Sequence, residues 1–515
     1  MNRIHDRLIF HNFSRSPLKK LMESLSSLKG NGLDLSAYRQ QLENDRNSRS
    51  LVYRRSNRPT IAGFLSKTGS LNNRNSALIS QQYPLLNPTV SVPILEGNDI
   101  SKINEFCSNV IACHNAGSKR SLNELSNSEP LVIAMIGALS NSFPKTLLIS
   151  LMSVIAILFP LNSELYETYV DNDLLFTLLS FLSEITPEEL STSLESQNLV
   201  GGAIELIGVL SDSSLYARNS VLCLGLHLIL IDIAKSEVTQ PLTYASCHCL
   251  QRVFGRPEKI DSEVTQSLIQ PLSTLLSISN HSAICAILTS FYSLTSKCPS
   301  LIFDFYEGEE PYSDIIVHML TEEDLAQAAL PLIGSLCNAH APQVQRMLSL
   351  GLFDILMQLI QTNLIADVFW VLTNLIEAIP SVMIQMITPN FIDSAISTAS
   401  ESSFDVKKEI IYFLCTLVLF LKPEDLTIFT QPHVIDSLVD MLGCGVGMIV
   451  LRCLDVFQIF IINIGRGTLS KDFVEVLADE NVIEQLESMV DMKLPIVAPR
   501  ANYILSMIQQ LTQSD

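Results

Sequence analysis

The chain has 515 residues, 47% of them apolar, with eleven cysteines and a formal net charge of −20. So long a chain exceeds what one compact core supports, which leaves several domains or one elongated array. The charge is split by sign: residues 1–75 hold fourteen Lys/Arg against five Asp/Glu and the rest nineteen against forty-eight, so +9 precedes −29, and a body that acidic is a poor partner for nucleic acid.

The first 65 residues are rich in Ser, Asn and Arg with sparse apolar positions, a composition that cannot bury enough surface to fold alone. Within them Leu33–Asn57, LDLSAYRQQLENDRNSRSLVYRRSN, has the helix propensity to form a basic helix on a partner. Residues 66–93 read as a polar, turn-rich flexible linker, and residues 94–515 as one helical body.

In that body Thr146–Ser163, TLLISLMSVIAILFPLNS, is eighteen residues without a charge, at the lower limit for crossing a bilayer. Pro160 and the polar close favour a helix buried in protein, so no membrane partner is expected. Similar runs recur at Ile410–Leu421 and Phe457–Ile464, both too short to span anything. Asp171–Leu182 and Gln266–Leu276 read as further inner helices of the same kind.

An internal repeat organises these runs. Apolar–acidic pairs at Phe353-Asp354, Ile392-Asp393, Ile435-Asp436 and Ile483-Glu484 recur at 39, 43 and 48 residues, and a second series at Trp370, Tyr412 and Leu454 recurs at 42 and 42. That period, with Gly351, Pro380, Pro389, Pro423 and Pro432 as punctuation and no alternating strand pattern, predicts stacked helical repeats of the armadillo or HEAT kind, roughly nine or ten of them. Each unit leaves apolar faces that only its neighbours cover, so the expected fold class is an all-α solenoid.

One segment holds the only tryptophan of the chain. Trp370-Val371-Leu372-Thr373-Asn374 places an indole and an amide four apart on one helix face, with Asp367 a turn before and Glu377 a turn after. An indole can sandwich the stem of a lysine and attract its ammonium, and an amide can pair with an extended peptide backbone. Glu409, Tyr412 and Thr416 repeat the spacing. A lone tryptophan in an apolar helix also reads as core, and that reading is preferred for Tyr412 and Thr416.

The arm carries Asp34-Leu35-Ser36-Ala37-Tyr38-Arg39, then Arg46, Arg49 and Arg54-Arg55 with Arg58. That order, followed by a linker, helical repeats and the Trp-x-x-x-Asn segment, resembles the importin-α family. The resemblance implies a right-handed armadillo-type superhelical solenoid behind a flexible basic N-terminal arm. It further implies that Arg39, Arg46, Arg49, Arg54, Arg55 and Arg58 bind an importin-β-type carrier. A concave acidic face would then hold Lys/Arg-rich nuclear localisation signals at Trp370, Asn374, Asp367, Glu377, Glu409, Tyr412 and Thr416. The expected role is a nuclear import adaptor shuttling between cytoplasm and nucleus.

The sequence departs from the family in two places. Where earlier repeats would carry Trp and Asn it has Ser153 and Ile157, Ile204 and Gly208, His248 and Arg252, Thr289 and Ser293, and Pro331 and Ser335; Trp370 is the only tryptophan. The Lys-Arg-Arg cluster expected after the arm helix is replaced by Ile61-Ala62-Gly63-Phe64-Leu65. The alternatives are an armadillo scaffold using other surfaces and a regulatory paralogue that occupies the carrier without cargo.

No phosphate-binding glycine loop, zinc-protease pair or nucleophile elbow is present, so an enzyme is not expected. The only close cysteine pair, Cys247 and Cys249, lacks a second half-site. Free thiols, no metal and no cofactor are expected. His248 reads as a buried histidine.

Overall fold

The computed structural model describes residues 85–513, apart from the side chains of residues 262 and 263. Arg39, Arg46, Arg49, Arg54, Arg55 and Arg58, the positions expected to bind a carrier, and most of the expected linker lie outside the described residues. Two compact units divide what is described, 85–371 and 372–513. The division falls inside the helix Ile365–Ala378.

Every regular element among the described residues is helical. The helix starts are legible as caps. Asp99 accepts from the N–H groups of Ser101 and Lys102, Thr239 from Leu242 and Asn280 from Ala283, pairing amides that a first helical turn leaves without a partner. Pro241, Pro389 and Pro432 stand in first turns, where a missing N–H costs nothing. The first described helix, Pro88–Glu96, starts inside the stretch read as linker: Asn87 caps Thr89, and Pro88 opens the helix.

The longest helix of each repeat is its rung. In chain order these are α1 (Ile100–Asn115), α2 (Lys145–Leu158), α3 (Leu194–Ser213), α4 (Gln240–Gly255), α5 (His281–Lys297), α6 (Glu323–Leu336), α7 (Ile365–Ala378), α8 (Phe404–Phe420), α9 (Gly447–Gly465) and α10 (Val497–Thr512). From α4 to α9 their starts are 41, 42, 42, 39 and 43 residues apart, which matches the spacing of Trp370, Tyr412 and Leu454 on α7, α8 and α9. In the unit 85–371, α1 to α6 pack each on the next; in the unit 372–513, α8 packs on α9 and α9 on α10.

Shorter helices fill the intervals. The four apolar–acidic pairs fall near the starts of Leu352–Leu359, Pro389–Glu401, Pro432–Leu442 and Glu480–Asp491, each the helix preceding a rung. Gly351, at φ 85°, makes the left-handed joint before the first of these. Asp173, at φ 65°, makes the equivalent joint before Leu174–Ser183. That joint corrects one expectation: Asp171–Leu182 is cut there and belongs to a preceding helix, not a rung. Gln266–Leu276 is likewise not a rung, since it lies in Ser262–Ser273 and the 3₁₀ turn Thr274–Ser277.

The rungs are apolar nearly all round because neighbours cover them on several sides. In α8 the ten consecutive residues Ile410–Leu419 are all buried, each large apolar side chain contributing about 1.5–3 kcal/mol. The uncharged run at Thr146–Ser163 is α2 and its continuation, bent by 115° against the helix that follows. Phe457–Ile464 proves to be part of the nineteen-residue α9, which is long and apolar enough to cross a bilayer by length and composition, and which is 67% buried within the protein. The fold is all-α and of the armadillo type.

Candidate peptide-binding face

The rung α7 carries Asp367, Trp370, Asn374 and Glu377, but it does not offer them equally. Trp370 is only 5% exposed and Asn374 only 6%. The indole lies across α6 at Gly334, where an added β-carbon would come within 1.8 Å of its Cζ3. Here the exposed aromatic platform implied by the resemblance is not formed, because the glycine lets the ring sink onto the preceding rung. Asp367 is half-buried.

On α8, Thr416 is fully buried and its hydroxyl donates to the Tyr412 carbonyl of its own helix at 2.8 Å. It is therefore turned away from any ligand, a correction to its assignment as a contact. Tyr412 is 6% exposed. Glu409 stands 3.8 Å from Lys408, and Lys407 donates to Asp440 at 2.9 Å.

A residue that the sequence reading passed over links two of the predicted positions. Arg452 of α9 donates through Nε to the Tyr412 hydroxyl at 3.3 Å, and its Cζ lies 5.6 Å from the centroid of that ring. Its Nη2 stands 3.5 Å from Glu377 Oε1, and the two side chains are 12% and 11% exposed. Carboxylate and aromatic ring are the groups that a cation site is built from, and here they surround a guanidinium. The available signal was charge in an apolar helix: Arg452 is the single Lys/Arg between Lys422 and Arg466.

The unit 85–371 has an exposed stripe of its own. Along α4, Gln240, Tyr244, His248 and Arg252 recur every four residues and so share one stripe. Tyr244 is 44% exposed and stacks on His248 with ring centroids 5.8 Å apart. His248 is thus half-buried on the surface, not the buried histidine expected; among the described residues the buried one is His227. On α3, Ile204 and Gly208 are buried and the outward side chains are Glu205 and Asp212. Arg252 reaches back over Gly208 to bond Glu205 at 2.8 Å and to approach Asp212 at 3.9 Å.

Beside this stripe an open cleft of about 560 Å³ is lined by Gln240, Pro241, Tyr244, Asn280, Ser282 and Cys285. Asn280 donates to the Gln240 amide oxygen at 2.8 Å, which joins α4 to the cap of α5. Burial, with Asp324 nearby, pushes the Cys285 thiol up, away from nucleophilic use. Among the described residues no three His, Cys, Asp or Glu side chains are placed to hold a metal ion.

No family model matches this sequence. No curated protein matches it either. Among solved structures the chain is similar to an engineered protein of the Northeast Structural Genomics Consortium, at 13% identity with TM-score 0.58 over 84% of this chain and 98% of the other. Two designed armadillo repeat proteins also align: one at 15% identity and TM-score 0.39 over 47% of this chain and 99% of its own. The other, solved with a (KR)4 peptide, does so at 14% and 0.37 over 45% and 98%. At these identities the likeness concerns fold alone.

Proposed function

We propose that this chain is a non-enzymatic transport adaptor of the importin-α kind. Its repeat face holds an arginine- or lysine-bearing segment of a cargo protein, and its arm engages an importin-β-type carrier through Arg39, Arg46, Arg49, Arg54, Arg55 and Arg58. The observation that carries this reading is the grouping of Glu377 and Tyr412 around a guanidinium, since a carboxylate beside an aromatic ring is what a cargo cation requires. Charge supports it as well: a +9 arm suits an acidic carrier, and a −29 body suits a basic cargo. Such an adaptor shuttles between cytoplasm and nucleus.

The test uses the full chain. Capture of an importin-β-type carrier is expected for the native protein and lost when Arg54, Arg55 and Arg58 are changed to Glu. Capture that survives the charge reversal refutes the carrier half of the reading. Anisotropy of a labelled Lys/Arg octapeptide at low salt tests the cargo half separately.

A second reading, a regulatory paralogue that occupies the carrier without cargo, is favoured by the burial of Trp370 on Gly334. Carrier capture together with no peptide binding, in the native chain and in every variant that empties the Glu377–Tyr412 site, is its signature.

A further inference from the structure

Three groups from three rungs meet at Arg452. Glu377 supplies a carboxylate from α7, Tyr412 a ring face and a hydroxyl from α8, and α9 supplies the guanidinium itself. Helix geometry fixes the first two, whose side chains hang from packed rungs. The third is a long side chain with several rotatable bonds, and its contacts with these two groups, at 3.3 and 3.5 Å, are near the outer limit for such bonds. A carboxylate beside an aromatic face selects a planar, diffuse cation over a compact, strongly hydrated one.

We propose that Glu377 and Tyr412 form a guanidinium-binding box, that Arg452 is its intramolecular occupant, and that an arginine of an extended cargo segment enters by displacing it. This rests on the adaptor reading for the identity of the ligand, and on the geometry alone for the box. An internal occupant lowers the apparent affinity for any competing arginine by the fraction of time the box stands open. The chain therefore carries its own competitor on the repeat face, and only a segment that adds contacts elsewhere along the rungs overcomes it. The box also accounts for a cation in α9: Arg452 neutralises Glu377 where that carboxylate is nearly buried.

The experiment uses the full chain and Arg452→Met. With the box empty, millimolar ethylguanidinium is expected to raise the melting temperature of Arg452→Met, and to leave the native chain and Arg452→Met/Tyr412→Leu unchanged relative to equal sodium chloride. No selective rise overturns the box. In parallel, a labelled Lys/Arg octapeptide is expected to bind Arg452→Met roughly tenfold tighter than the native chain, as for an occupant present about nine-tenths of the time. Equal binding to both overturns displacement while leaving the adaptor reading in place. Ethylguanidinium rescue with no peptide binding to either protein upholds the box and sinks the adaptor reading. Should Arg452→Met fail to fold, Arg452→Lys keeps a cation there but loses the planar fork. Its peptide affinity is then expected to rise about threefold, and no rise overturns the proposal.

Discussion

Trp370 and Gly334 are fitted to each other: a β-carbon on the glycine would stand 1.8 Å from Cζ3, 2.4 Å from Cη2 and 2.6 Å from Cε3 of the indole. The absence of a side chain on α6 is what lets the only tryptophan of the chain sink to 5% exposure. Gly334→Ala must therefore displace the indole or part the two rungs. Overpacking of this kind costs about 1–3 kcal/mol. The expected outcome is a lower denaturation midpoint with red-shifted tryptophan emission, read without ambiguity because no other indole contributes. Native emission in a fully stable Gly334→Ala protein contradicts the fit.

Arg500 of α10 donates to Asp455 of α9, and the two side chains are only 12% and 8% exposed. Breaking a buried pair on one side strands the other charge, at a cost of about 3–5 kcal/mol. Asp455→Ala is expected to lower stability by that order in urea unfolding. Asp455→Ala combined with Arg500→Met is expected to recover much of the loss, because the nearly buried guanidinium is removed together with its carboxylate. A double variant weaker than the single one rules this account out.

Three cations converge on residues 254–259. Arg218, wholly buried, donates to the Glu258 and Lys259 carbonyls at 3.3 and 3.2 Å, Arg256 grips the Glu258 carboxylate at 2.8 and 3.0 Å, and Lys297 donates to the Phe254 carbonyl. Burial first, then Arg218 and Arg256, bring the Lys297 ammonium down to about 8. Because this is lower than in the unfolded chain, the unfolded state holds more protons above pH 8. Its contribution to stability therefore rises from about pH 8 to about 10.4, by about 1–3 kcal/mol. The measurable quantity is the difference between native and Lys297→Met chains across that range, since the buried thiols push the native curve the other way. A difference that stays flat disproves the shift.

Those thiols give a chemical prediction. Burial pushes Cys107, Cys247 and Cys249 up to about 12, whereas Cys223 is exposed. Iodoacetamide at pH 8 is expected to modify Cys223 in the folded chain and to spare the other three, as read by peptide mass spectrometry. The raised thiols contribute stability that is complete below their unfolded value and is lost as pH climbs towards 12. Early modification of Cys247 or Cys249 shows that α4 opens locally.

The sequence by itself determined the class of the molecule. A 39–48-residue recurrence of apolar–acidic pairs, and of Trp370, Tyr412 and Leu454 behind them, located the rungs and the helices before them. Recurrence is a one-dimensional property, and a repeat fold is a nearly one-dimensional object. In the N-terminal half the same reading mistook Asp171–Leu182 and Gln266–Leu276 for rungs, because apolar content does not distinguish a helix covered by its own repeat from one covered by the next.

Tertiary structure alone decided what each rung presents. Helical spacing places Trp370 and Asn374 on one face but does not say whether a neighbouring glycine draws that face inward, as Gly334 does. Nor could it show that Arg452, forty residues from Tyr412 and seventy-five from Glu377, closes on both. Contacts between rungs depend on the lateral offset of packed helices, which is set by side-chain volumes from several repeats together. Periodicity averages over those volumes, so the face that meets a partner was written only in three dimensions.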